Sequence, residues 1–234
     1  MKRINIFTGF PEIEAYFTQK PDSADATRPA LIEAYKNAGG RYIRPLLVHG
    51  TEIKVIDEAF IEDNKDTYIE IPETDGTVTD LHGIALTSTH GDCIPVYAYD
   101  PTLGAIGLAH AGWRGTAAGI AGKLIKTMTS VYGSDPESVC AYIGPGIGLC
   151  HFEVGSEVAD QFKEAYSWST DFINMKNDGK AMIDLKGINR RILELEGVKH
   201  IEISEDCTFC LKDKYYSYRR CEDTDRMLAS IRIL

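Results

Sequence analysis

Cys93 and His110 close the two ends of CIPVYAYDPTLGAIGLAH, a pair of strand-like arms around Asp100-Pro101-Thr102-Leu103, whose Asp-Pro start is a turn signal. A four-residue loop that pairs Tyr99 with Gly104 also pairs residues 97 with 106, 95 with 108 and 93 with 110. Directly opposed Cβ atoms lie roughly 4.5 to 5.5 Å apart. That is close enough for two ligands of one metal ion, or for a nucleophilic thiol and its base. Asp92 points to the opposite side of the strand, where it can orient a ligand or the backbone.

A catalytic zinc typically takes three protein ligands and leaves one position for water or substrate. Two histidines compete for the third place: His49, at the end of a strand-like run and followed by Gly50, and His90, close to Cys93. Spacing alone does not choose between them. His110 leads into Ala111-Gly112-Trp113-Arg114-Gly115 ahead of a helix-like segment. A helix start offers unpaired N–H groups to an anion, and Arg114 adds a bidentate donor.

The elements that must carry these residues follow from hydrophobic spacing and turn residues. Residues 28 to 38 read as a helix that opens with Pro29 and stops at Gly39-Gly40. Short β-rich runs follow at 43–48, 53–56, 68–71, 83–87, 94–99 and 105–110. Ile120, Leu124 and Met128 recur at helical spacing within a helix expected over about 116–132. Residues 139–143 read as a strand, 156–166 and 183–196 as helices, and 200–203 and 226–234 as closing strands. Gly144-Pro145-Gly146-Ile147-Gly148 reads as a tight loop, because no Lys-Ser or Lys-Thr follows it to make a phosphate cradle. With no linker or repeat, the pattern predicts an α+β fold, mixed β-sheets covered by helices, in a single compact domain over residues 1–234.

Composition narrows the chemistry. The 234 residues are 44% hydrophobic and 26% charged, a globular balance with enough chain for a core. The net charge of −10 disfavours a nucleic-acid partner but leaves room for a small anion in a local basic pocket. No stretch has the length of a membrane span, and the first residues lack a signal-like apolar run, so no membrane partner and a cytoplasmic location are expected. Six irregularly spaced cysteines suit free thiols, ligands or a nucleophile. Cys207-x-x-Cys210 has no second pair nearby, only Cys221, and reads as ordinary loop. Tyr218, Arg219 and Arg220 read as a solvated strand end that has the chemistry to hold phosphate or ribose.

Several runs resemble the YfiH family, whose members carry names such as laccase-domain protein, polyphenol oxidase and peptidoglycan editing factor: VHG at 48–50, TDGTVTD at 74–80, GDCIPV at 91–96, AHAGWRG at 109–115, IGPGIGLCHFEV at 143–154, and DCTFC with SYRR near the end. The resemblance implies a YfiH-like, cysteine-hydrolase-like sandwich. It also implies a metal site of His49, Cys93 and His110, and action on purine nucleosides, by phosphorolysis of adenosine, inosine, guanosine and methylthioadenosine and by adenosine deamination. The older laccase label implies copper and phenol oxidation, yet only six histidines are scattered along the chain, which favours one zinc over several coppers. Leu47, Gly91 and Asp225 stand where the family usually has Gln, Ala and Gly.

The expected function is therefore a zinc-dependent purine nucleoside phosphorylase, with purine nucleoside and phosphate as partners and Cys93, His110, Asp92 and Arg114 as catalytic residues. Two rivals stand beside it. One is a metal-free cysteine hydrolase with Cys93 as nucleophile, His110 as base and Asp92 or another polar group as orienter. The other is a non-catalytic binding module.

Overall fold

The arms of the Cys93–His110 hairpin form the middle of a six-stranded sheet in the computed structural model, which describes residues 1–234. The strands are β1 (Arg3–Ile6), β2 (Ile13–Thr18), β3 (Arg41–Pro45), β4 (Ile53–Val55), β5 (Tyr68–Ile71), β6 (Gly76–Thr79), β7 (Ile84–His90), β8 (Ile94–Asp100), β9 (Ala105–Ala111), β10 (Cys140–Ile143), β11 (Glu153–Gly155), β12 (Ile173–Met175), β13 (Lys180–Ile183), β14 (His200–Ile203) and β15 (Met227–Ile233). The helices are α1 (Ala24–Asn37), α2 (Glu58–Asp63), α3 (Trp113–Ala117), α4 (Ile120–Tyr132), α5 (Ser156–Ala165) and α6 (Leu185–Leu195). The central sheet runs β14-β10-β8-β9-β6-β4, a second runs β1-β2-β15-β7-β3-β5, and β11-β13-β12 form a small third.

Alternation along β8 and β9 divides the core. Val96, Ala98, Ala105 and Ala109 face the helices with Leu124, Met128 and Ile188, while Tyr97, Tyr99, Ile106 and Leu108 face Ile43, Leu86 and Ala229 of the second sheet. At Gly107 a Cβ would stand 2.8 Å from Leu124 Cδ1, so the missing side chain lets α4 lie close on β9. Helix α1 covers the outer face of the second sheet, where Tyr35 packs on Tyr42. The layers are helix, sheet, sheet, helix: a mixed α+β molecule with one continuous body.

Several boundaries differ from the sequence reading. The β8–β9 register is Pro95 opposite His110 and Ile94 opposite Ala111, two residues from the expected pairing, because Asp100 pairs with Ala105 and Gly104 turns the loop at φ +68°. Cys93 therefore sits diagonal to His110, still on the same face, since side chains alternate with a period of two. Ser23 caps α1 through Ala26 N–H, one turn before the expected start, so Pro29 falls inside the helix and forgoes a backbone bond. The helix expected from about 116 starts at Trp113 and is broken by Gly119 at φ +80° into α3 and α4. Strand β3 stops at Pro45, leaving Leu46 to Gly50 as a loop and His49 beyond the strand it was expected to end. The first two strands, β6 and the small third sheet were not read from the sequence.

Candidate active site

A cleft of about 530 Å³ opens where β7 and β9 end and β8 begins, lined there by Thr89, Gly91, Cys93 and His110. His49 from the loop after β3, Cys93 ahead of β8 and His110 in β9 meet at its floor, with their Nδ1/Nε2 and Sγ atoms within 4.8 Å of one another. Gly112 makes room for this convergence: a Cβ there would lie 2.9 Å from His49 Cδ2 and 3.2 Å from Cys93 Sγ. His49 itself adopts φ +61°, a left-handed turn that brings the exposed imidazole to the half-buried Cys93 and the buried His110.

The residue that organises the cluster is Asp75, just ahead of β6. Its Oδ1 lies 3.1 Å from His110 Nδ1 and accepts the His49 N–H at 2.9 Å, while Oδ2 accepts from Val48 N at 3.2 Å and Gly50 N at 2.7 Å. One carboxylate thus fixes the His110 ring and shapes the loop that carries His49. Asp75 lies in the TDG run but was not read as a site residue; a carboxylate followed by glycine at a strand start was the available signal.

Burial pushes the Cys93 thiol up and the His110 imidazole down. The attraction between them, their hydrogen bond, and the neighbours His49 and Asp75 outweigh burial, leaving Cys93 at about 6 and His110 at about 9. Each group thus favours the charged form of the other. His90, the rival third ligand, lies outside the cluster: it is fully buried, its Nδ1 is 3.0 Å from the Cys93 carbonyl oxygen, and its ring packs against His110 and Phe17. Burial, followed by the His110 charge, holds it well below the usual histidine range.

Asp92 does not orient His110. At φ +84° its carboxylate turns to the C-terminal loop, where Oδ1 accepts from Thr208 Oγ1 at 2.6 Å and Oδ2 accepts from Ser217 Oγ at 3.0 Å and Arg219 N at 2.7 Å. It is the anchor of the segment that brings Tyr218 and Arg219 to the cleft. Arg220 turns away, donating to the carbonyls of Thr208 and Phe209 and to Asp223.

Arg114 lines the cleft with its guanidinium 4.2 Å from the Trp113 ring centroid. It is exposed and has no carboxylate partner. The helix beneath it, α3, is only five residues long, so the expected anion field of a long helix start is absent and the guanidinium itself is what faces the cleft. Arg219 and Arg226 complete a basic rim; Leu47, Phe152 and Tyr218 supply apolar wall. Gly91, where the family usually has Ala, accommodates Arg226, since a Cβ there would stand 2.7 Å from its Cδ.

Fold and cleft together define a YfiH-type α+β protein. The solved YfiH of Bacillus licheniformis superposes with a TM-score of 0.87 at 26% identity, over 100% of this chain and 97% of that one. The chain belongs to the family described as multi-copper polyphenol oxidoreductase laccase, whose model matches residues 13–234. Among curated relatives, a purine nucleoside phosphorylase YlmD of Geobacillus stearothermophilus is 36% identical over 189 residues, 79% of this chain and 69% of that protein. An adenosine deaminase RL5 from an unknown prokaryotic organism is 34% identical over 183 residues, 76% of this chain and 69% of its own length.

Proposed function

We propose that the protein is a zinc-dependent purine nucleoside phosphorylase, acting on adenosine, inosine, guanosine and methylthioadenosine, with adenosine deaminase activity. The observation that carries this reading is a basic-rimmed cleft on a chain of net charge −10, with a thiol and two imidazoles converging at its floor. The names of the relatives support the same substrate class. One thiolate and two imidazoles suit zinc, and their opening into the cleft leaves space for a further ligand. A zinc ion held by His49, Cys93 and His110 supplies Lewis acidity towards an oxygen of phosphate or water.

The remaining work falls to the chain's own groups. Phosphorolysis forms a bond from a phosphate oxygen to the ribose carbon as the bond to the purine nitrogen breaks. Arg114, free of any carboxylate, binds the phosphate. Phe152 and Tyr218 provide apolar surface for the base, and Asp92 positions Arg219 through its backbone. Asp75 holds the His110 Nδ1 proton, which turns Nε2 towards the cluster. No helix is long and apolar enough to cross a membrane. We place the reaction in a reducing compartment, the cytoplasm, where a thiol such as Cys93 persists.

The test is to follow adenine and hypoxanthine release against phosphate concentration, beside ammonia release from adenosine, with metal content measured on the same sample. Phosphate-dependent base release by zinc-loaded protein supports the reading; turnover of neither kind overturns it. The convergence of Cys93 and His110, with Asp75 on the far nitrogen of His110, favours a second reading, a cysteine hydrolase, which requires full activity without metal. Copper phenol oxidation has weaker support, because only two histidines reach the cluster.

A further inference from the structure

A second group of donors lies outside the cleft. Cys150 and His151, after β10, meet Cys207 and Cys210 from the loop after β14, and their ligand atoms all lie within 4.8 Å of one another. We propose that these four residues form a second, structural zinc site, a closed Cys3His centre that staples the two loops forming one side of the cleft.

The geometry carries this assignment. Cys150 Sγ and Cys210 Sγ are 3.6 Å apart, and Cys210 Sγ is 3.2 Å from His151 Nδ1. A tetrahedral zinc with Zn–S near 2.3 Å and Zn–N near 2.0 to 2.1 Å separates two sulfurs by about 3.8 Å and sulfur from nitrogen by about 3.6 Å. The sulfur–sulfur edge is close to that of a loaded site and well beyond a bonded sulfur pair at about 2.05 Å, while the sulfur–nitrogen edge is shorter than the loaded one and opens slightly on binding. The His151 ring is held for the purpose, stacked on Phe209 with centroids 4.1 Å apart and planes 22° apart.

The surroundings are built as well. Gly148 donates its N–H to Cys207 Sγ at 3.2 Å, the kind of outer hydrogen bond that fixes a thiolate ligand. A Cβ at Gly148 would stand 3.3 Å from Cys150 Sγ and 3.5 Å from Cys207 Sγ, so glycine keeps the approach open. The backbones are bridged beside the cluster, Gly146 pairing with Cys207 and Thr208 N–H donating to the Gly146 carbonyl at 3.1 Å. Lys186 Nζ reaches from α6 to the carbonyls of Ser204 and Asp206 at 2.7 and 2.8 Å and steadies the second loop.

Three thiolates and one imidazole fill four positions and leave none for substrate, which makes the centre structural. Its effect is mechanical: one loop continues into Phe152 and Val154, and the other into Tyr218 and Arg219, all of which line the cleft.

The test does not depend on activity. Protein purified under reducing conditions should hold about two zinc ions per chain, and about one after Cys207→Ser or after Cys93→Ser. Cobalt-loaded Cys93→Ser, which lacks the thiol of the cleft cluster but keeps all three of this centre, should show an intense thiolate-to-cobalt charge-transfer band and tetrahedral visible bands. On the unaltered zinc-loaded protein, Cys150 and Cys210 should resist alkylation while exposed Cys221 reacts, and a strong chelator should abolish that difference. The proposal is overturned if Cys150 and Cys210 alkylate as fast as Cys221, if Cys93→Ser removes all bound zinc, or if intact mass after reducing purification shows them joined as a disulfide.

Discussion

His110 Nδ1 lies 3.1 Å from Asp75 Oδ1, and that same carboxylate accepts three backbone N–H groups from the loop carrying His49. A single buried acid therefore couples a strand histidine to a loop histidine. Asp75→Asn keeps the shape but replaces one acceptor oxygen with a donor facing an N–H. Metal affinity should fall about 10- to 100-fold, the usual cost of losing such a partner. Competition with a chromophoric chelator reads this directly; unchanged affinity would remove Asp75 from the site.

Cys93→Ser should lower both zinc content and nucleoside turnover, because a hydroxyl is a poorer zinc ligand than a thiolate and alters the local charge. Metal analysis and turnover belong on one preparation. Full turnover without zinc at this cluster would support a metal-free mechanism, and lost turnover with zinc retained would point to the thiol as nucleophile.

Gly112 tests convergence without replacing a ligand. Gly112→Ala places a methyl 2.9 Å from His49 Cδ2 and 3.2 Å from Cys93 Sγ, while its φ of −67° is open to alanine. Zinc content should drop, while the thermal midpoint of the metal-free protein changes little relative to metal-free wild type. A lower midpoint in the metal-free comparison would show that the clash spreads into the core.

Arg114→Ala should weaken phosphate dependence far more than deamination, since only phosphorolysis uses the anion. Loss of one charge-assisted hydrogen bond costs about 1.5 to 3 kcal/mol, or roughly ten- to a hundredfold. The exposed guanidinium on Trp113 has no carboxylate partner, so the fold should be spared. Equal losses in both reactions would assign Arg114 to nucleoside binding instead.

Asp92→Ala strips three donors of their acceptor: Thr208 Oγ1, Ser217 Oγ and Arg219 N. Unsatisfied buried donors cost about 1 to 3 kcal/mol each, so the thermal midpoint should fall and the nucleoside KM should rise as the Tyr218–Arg219 wall loosens. A lower kcat with KM and stability intact would place Asp92 at the reacting atoms.

Local pattern determined the parts that depend on local pattern. Strands β5, β8 and β9, the amphipathic α4 behind Ile120, Leu124 and Met128, and the shared face of Cys93 and His110 were legible, because alternation and helical spacing are properties of consecutive residues. The hairpin slip of two residues left that face unchanged, whereas a slip of one would have reversed it. Tertiary structure decided what spacing leaves open. His49 rather than His90 joins the cluster because β3 ends at Pro45 and the loop beyond it folds over Asp75, while His90 is walled in between Phe17 and His110. Asp75 rather than Asp92 faces His110, since β6 pairs beside β9 and Asp92, at positive φ, is bonded to the C-terminal loop instead. Cys150 and His151 reach Cys207 and Cys210 only because β10 lies between β8 and β14, so loops far apart in sequence leave neighbouring strands side by side. Sheet order is a property of packed surfaces, and no run of consecutive residues records it.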